Sequence, residues 1–211
     1  MEFLPEKLQD YAESHTTDES DVLKYISRET HLKVLSPRML SGHLQGRLLS
    51  MFSHMIKPKR ILEIGTYTGY SAVCMAEGLD TEGKLYTIDV NEELEARVRK
   101  HFEMAGVTDK VTFLVGDAHA IVPSLNEQWD LVFIDADKLG YSQYFDLVID
   151  NMNTDGYIIA DNVLWSGKIV EDVSDKKTEA MRNFNEKVMN DPRVENILLP
   201  LRDGLMVMRK K

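Results

Sequence analysis

The chain has one cysteine, Cys74, in 211 residues. That excludes an intramolecular disulfide and any zinc site built on several thiolates, and it fits a reducing compartment. No apolar run approaches the ~18 residues of a membrane-spanning helix. The opening MEFLPEKLQD carries acids where a secretory leader would be basic. Neither a signal peptide nor a membrane span is expected, and the location expected is the cytoplasm. Positive charge is in deficit, 25 Lys and Arg against 35 Asp and Glu, for a formal charge of −10. Such a balance argues against non-specific binding to a nucleic-acid backbone, which needs several cations on one face. The six histidines show no HxxxH or HExxH spacing and none is assigned to a metal. Most of them read as solvated or helix-surface groups.

What is present is ordinary globular material, 43% hydrophobic and 28% charged, enough for a substantial core. At roughly 150 residues per domain the length gives one domain, spanning residues 1–211. Its first 55 residues read as a helical preface. Asp18 is placed to cap a helix that turns Val22, Leu23, Tyr25, Ile26, Leu32 and Val34 toward a core. A second amphipathic stretch runs from Met39 to Ile56 with Leu44, Leu48, Leu49, Phe52 and Met55 at helical spacing, and Lys57-Pro58-Lys59 ends it. From residue 60 onward, short apolar runs (Ile61–Ile64, Leu85–Ile88, Val111–Val115, Leu131–Ile134, Tyr157–Ala160) alternate with amphipathic segments. Those segments cover Tyr70–Leu79, Glu92–Ala105, Ala118–Leu125 and Tyr141–Met152. This alternation predicts a parallel sheet covered on both faces. A helix near Lys177–Met189 and two strands around Arg202-Asp203-Gly204 add a hairpin. The fold expected is a doubly wound α/β sheet of about seven strands, mostly parallel, with one antiparallel strand.

In such sheets ligands bind beyond the carboxyl ends of the strands, so the residues ending each run carry the information. The first end reads Glu63-Ile64-Gly65-Thr66-Tyr67-Thr68-Gly69-Tyr70-Ser71, where small residues allow close approach to a ligand. Its glycine spacing is not G-x-G-x-x-G, which weakens a dinucleotide reading. The second ends at Asp89, which serves either two ribose hydroxyls or the cap of the following helix. The third ends in Gly116-Asp117-Ala118, with Asp117 open to adenine or to capping. The fourth ends in Asp135-Ala136-Asp137-Lys138 and the fifth in Asp161-Asn162. Carboxylates converging on one edge need a cation or donors to offset their charge, and all-oxygen donors suit Mg²⁺, with Mn²⁺ or Ca²⁺ as options, better than zinc. Lys138 supplies part of that offset.

EIGTYTGYSA, the acid at Asp89, DADKLGY and DNVLWSG occur here in an order that resembles the cation-dependent, S-adenosylmethionine-dependent O-methyltransferases. The likeness is to the caffeoyl-CoA type and, more distantly, to catechol O-methyltransferase. It runs from about Ser36 to the end of the chain. The resemblance implies a Rossmann-like methyltransferase fold and a homodimer. It implies a cofactor site of Ser41, Glu63, Gly65, Tyr67, Ser71, Asp89, Ala118, Asp135 and Asp137. Asp135, Asp161 and Asn162 match the metal ligands, Lys138 the catalytic base, and Met39, Trp165 and Ser166 the acceptor side. Before Ser36 no counterpart of the plant enzymes' acceptor contacts is assigned, so a CoA-thioester substrate does not follow.

The chemistry implied is transfer of an activated methyl to a phenolic acceptor. A phenol, with a pKa near ~10, would be ionised with help from the divalent cation and deprotonated by Lys138. The small molecule expected is a vicinal dihydroxy aromatic. Methylation of a hydroxylated uridine in a specific tRNA is the alternative within the same chemistry. A nicotinamide-dependent oxidoreductase or an inactive adenosyl-binding module stand further off. Cys74, among small apolar neighbours, reads as packing. Tyr141 and Tyr144 are open to packing or acceptor contact.

Overall fold

In the computed structural model, which describes residues 5–172 and 174–211, the expected strands form. They are β1 (Arg60–Ile64), β2 (Lys84–Asp89), β3 (Val111–Val115), β4 (Trp129–Ile134), β5 (Met152–Ala160), β6 (Val194–Leu199) and β7 (Leu205–Lys210). They make one sheet in the order β3-β2-β1-β4-β5-β7-β6. The first five are mutually parallel and β7 runs antiparallel to both β5 and β6. The order switches at β1, whose neighbours are β2 on one side and β4 on the other.

Eight α-helices accompany the sheet among the described residues. They are α1 (Glu6–Ser14), α2 (Asp21–Lys33), α3 (Gly42–Ile56), α4 (Tyr70–Ala76), α5 (Glu95–Met104), α6 (Ala118–Leu125), α7 (Tyr141–Ile149) and α8 (Lys176–Asn190). Successive strand residues point to opposite faces, and here both faces are buried. Ile61 and Leu131 join Leu23, Ile26, Leu49 and Val98 in one core. Leu62 and Val132 join Val122, Phe145 and Phe184 in the other. Helices α2 and α3 thus share a core with the sheet. No helix among the described residues is long and apolar enough to cross a membrane. The first four residues of the expected preface lie outside the described residues.

Several local expectations need correction. Ser20, not Asp18, caps α2, its hydroxyl accepting from Leu23 N; Asp18 instead binds Glu19 N and Lys24 Nζ. Leu32 is 70% exposed, because nine steps of ~100° place it opposite Leu23. The buried face of α3 is Gln45, Gly46, Leu49, Ser50 and Ser53, while Met55 of the apolar set is exposed. Small residues let α3 sit tightly on α4. A Cβ on Gly46 would lie 2.6 Å from the Tyr70 ring, and the Ser53 hydroxyl donates to Met75 O at 2.6 Å. Met152 begins β5 rather than ending α7. His101 is fully buried, not a surface group.

Candidate active site

The strand ladder continues one residue past the ends of the strands. Gly65 N donates to Ile88 O at 2.9 Å, Asp135 N to Ile64 O at 2.9 Å, Asp161 N to Ile134 O at 3.0 Å and Gly116 N to Asp89 O at 2.8 Å. Gly65, Asp135 and Asp161 therefore form a row across β1, β4 and β5, at the switch in strand order. Above it opens a cleft of about 1640 Å³.

On the β1 side, Gly65 has φ +105° and a Cβ there would meet Asp135 O at 2.0 Å. Only a glycine lets the loop cross so close to β4. Tyr67, at φ +50°, donates its backbone N–H to Asp89 Oδ2 at 2.7 Å, while Asp89 Oδ1 accepts from Asn91 N at 2.9 Å. Asp89 lines the cleft and is not the helix cap. Asn91 caps the turn at Glu92–Leu94, and Asp117 caps α6 through His119 N. Bare Gly116 and buried Ala118 line the same side of the cleft.

Glu63 lies beneath the cleft and does not line it. It is fully buried; Oε1 accepts from Ser71 Oγ at 2.5 Å and Oε2 from the Thr87 hydroxyl. Burial pushes its carboxyl up to about 8, against these two hydroxyls, with the charges of Asp135 and Asp89 adding to the rise. Ser71 lines only a small recess beside Gly65 and Tyr67.

The acidic row carries its own donors. Lys138 is 8% exposed; its Nζ donates to Asp135 Oδ1 at 2.9 Å and to Tyr141 Oη at 2.7 Å. The fully buried Tyr141 hydroxyl donates in turn to Asp161 O at 2.9 Å, and burial raises its pKa well above the ordinary value. Tyr141 is thus packing that aims the lysine. Desolvation and the neighbouring Asp135 charge push Asp161 up to about 6, while a hydrogen bond from Gln45 holds it down. No three His, Cys, Asp or Glu side chains converge as a metal set among the described residues; the row offers two carboxylates and the Asn162 amide. Asn162, Met39, Ser41, Asp137, Trp165 and Ser166 all line the cleft. Asp137 is exposed, with Lys177 Nζ 3.9 Å away. Trp165, Ser166 and Gly167 are consecutive left-handed residues, a strained rim held where Ser166 N meets Asp203 Oδ1.

Polar groups that sequence reasoning passed over support this site. Gln45 reaches Asp161 from α3. Glu29 of α2 bonds His101 Nε2 at 2.7 Å and Arg97 at 2.9 Å. His101 Nδ1 lies 2.9 Å from Thr68 O, and the Thr30 hydroxyl donates to that of Thr68 at 3.0 Å. Burial alone would raise the Glu29 carboxyl, but His101, Lys33 and Arg97 hold it at about 2. The available signal was a glutamate beside Ile26 on the buried face of α2. Cys74 is packed as expected, its thiol pushed up to about 12 by burial.

A family model described as O-methyltransferase matches residues 13–211. The chain is 30% identical over 204 residues to a caffeoyl-CoA O-methyltransferase of Stellaria longipes, covering 91% of this chain and 84% of that one. Among solved structures, the SAH-bound methyltransferase PaMTH1 of Podospora anserina superposes with a TM-score of 0.91 at 30% identity, over 100% of this chain and 99% of the other. The O-methyltransferase of Bacillus cereus in complex with SAH does so with a TM-score of 0.90 at 26% identity, over 97% of each.

Proposed function

This chain belongs to the O-methyltransferase family, and on that premise we propose that it methylates a hydroxyl of a vicinal dihydroxy aromatic small molecule, using S-adenosylmethionine and a divalent cation. The observation that carries the reading is the row of Asp135, Asp161 and Asn162 beside Lys138, at the floor of a cleft that also contains Asp89 and Gly65.

The residues fit both groups. Along the cofactor side, Gly65 at φ +105° and Gly116 at φ +148° hold backbone turns that L side chains rarely adopt, both line the cleft, and Asp89 offers carboxylate oxygens to a diol. Tyr67, Ser41, Ala118, Asp135 and Asp137 complete that wall. S-adenosylmethionine, when bound, supplies a methyl group on a cationic sulfur. On the acceptor side, buried Asp161 next to Asp135 carries an electrostatic cost that a cation would relieve, and oxygen donors suit a hard ion such as Mg²⁺. A divalent cation, when held by Asp135, Asp161 and Asn162, supplies charge that favours the ionised acceptor hydroxyl.

The remaining work falls to the chain. Tyr141 spends its own proton on Asp161 O and accepts from Lys138, so the amine is fixed at the edge of the row. In its neutral amine form Lys138 Nζ keeps two N–H donors for Asp135 and Tyr141 and takes the acceptor's proton on its lone pair. Met39, Trp165 and Ser166 confine the aromatic ring, and alignment of the hydroxyl contributes up to ~7–11 kcal/mol to the barrier reduction. The reading extends to a homodimer acting in the cytoplasm, supported by the resemblance of the motifs.

The test is methyl transfer from S-adenosylmethionine to a panel of catechols, with Mg²⁺ and with chelator, alongside total RNA. Product from catechols that vanishes in chelator and in Asp161→Ala supports the reading. Lys138→Met should lower the single-turnover rate by about 10²–10⁴-fold with little change in S-adenosylhomocysteine affinity. Methylated uridine derivatives in RNA with no catechol product, or full catechol activity in chelator, would overturn it.

A further inference from the structure

Asp161 is gripped from two directions. Its Oδ1 accepts from the backbone N–H of Asn162 at 2.6 Å, and its Oδ2 accepts from Gln45 Nε2 at 2.7 Å. Gln45 lies on α3, is fully buried and does not line the cleft. Its carbonyl Oε1 has no partner among the described residues. A buried, unpaired amide oxygen is costly, about 1–3 kcal/mol. The amide is therefore oriented by what its nitrogen does, and the nitrogen does one thing: it holds Asp161.

The position of α3 makes that reach possible. The neighbouring Gly46 lets the helix sit against Tyr70 and Cys74, where a Cβ would come within 2.6 Å and 2.9 Å. Just before the same end of the helix Arg202 donates to Leu40 O at 2.8 Å, tying the chain ahead of α3 to the β6–β7 turn. With one donor on each oxygen, the carboxylate is fixed in rotation yet keeps acceptor positions free on both atoms.

We propose that Gln45 is a positioning residue of the cation site, orienting Asp161 from the side away from the cleft so that its remaining lone pairs face Asp135 and Asn162. The inference rests on the cation reading above. Groups that orient metal ligands are worth about 10–100-fold in metal affinity, and Gln45 acts on the ligand without touching cofactor or acceptor.

The experiment measures Mn²⁺ affinity of the full chain by the electron spin resonance of free Mn²⁺, and S-adenosylhomocysteine affinity by calorimetry in chelator. The proteins are wild type, Gln45→Met, Gln45→Asn and Asp161→Ala. Methionine keeps the volume and removes the donor; asparagine keeps the amide and withdraws it by one methylene, and it carries the test if the methionine variant fails to fold. Both should bind Mn²⁺ about 10–100-fold more weakly with S-adenosylhomocysteine affinity held within about twofold. Mn²⁺ affinity unchanged in a folded Gln45 variant, with Asp161→Ala defective, overturns this inference alone. Parallel loss of both affinities also overturns it, by making Gln45 a general packing residue. A wild type that binds no Mn²⁺ overturns the cation reading and this inference with it.

Discussion

Replacing Glu63 by glutamine should stabilise the protein, and more so as the solution becomes alkaline. Glu63 is fully buried at the end of β1, and desolvation, with Asp135 and Asp89 adding to it, lifts its carboxyl from 4.5 to about 8. A carboxyl raised on folding contributes its full stability below the unfolded value and loses it as pH climbs through the folded one. Between those limits the native group keeps its proton while the unfolded one has released it. Each pH unit then costs ~1.4 kcal/mol. From about pH 5.5 to about pH 7.5 the loss is ~3 kcal/mol, a large share of the ~5–15 kcal/mol typical of a domain. Glutamine has the same shape and no titration, and the Ser71 and Thr87 hydroxyls can accept as readily as they donate. The assay is urea unfolding of wild type and Glu63→Gln at the two pH values, in chelator and without cofactor. Asp161, also raised, titrates in both proteins and cancels in the comparison. Wild type should lose ~3 kcal/mol more than the variant across that interval. Parallel pH profiles would refute the buried-carboxyl argument.

Glu29→Ala strips His101 and Arg97 of their shared partner; it should cost about 3 kcal/mol, read as a lower urea midpoint, and Glu29→Gln should cost less. Gly65→Ala should abolish S-adenosylhomocysteine binding in calorimetry, because its Cβ would strike Asp135 O. Gly106→Ala, also at positive φ but with nothing within 4 Å of the added carbon, should only lower the melting temperature. Ser20→Ala should remove about 1 kcal/mol through the lost cap, and Asp18→Ala should shift the unfolding midpoint less.

The strand ends were legible because each follows a short apolar run, and a run ending in Asp135 or Asp161 announces a charge at a sheet edge. Sheet order puts those ends side by side, so the acidic row could be anticipated from local text. Gln45 could not, since its partner lies 116 residues away and nothing near residue 45 signals a carboxylate. The Glu29–His101 pair, 72 residues apart, was hidden in the same way. Apolar counting found Leu49, Leu48 and Phe52 on the core side of α3 but missed Gly46, Ser50 and Ser53, which are inside because they are small. Close packing selects for volume there, and hydropathy does not report volume. Asp18 and Ser20 are both good capping residues two positions apart; only the path of the backbone chooses between them.

The tie from α2 through Glu29 and His101 to Thr68 has a practical consequence for anyone recombining these enzymes. Exchanging the N-terminal helices for those of a relative is the obvious graft to try. In this chain such a graft would carry away one half of a buried hydrogen-bonded clasp and leave His101 stranded against the glycine loop. A chimera should therefore transfer Glu29 and Thr30 together with matching residues at 68 and 101, as one unit of inheritance scattered over three places in the chain.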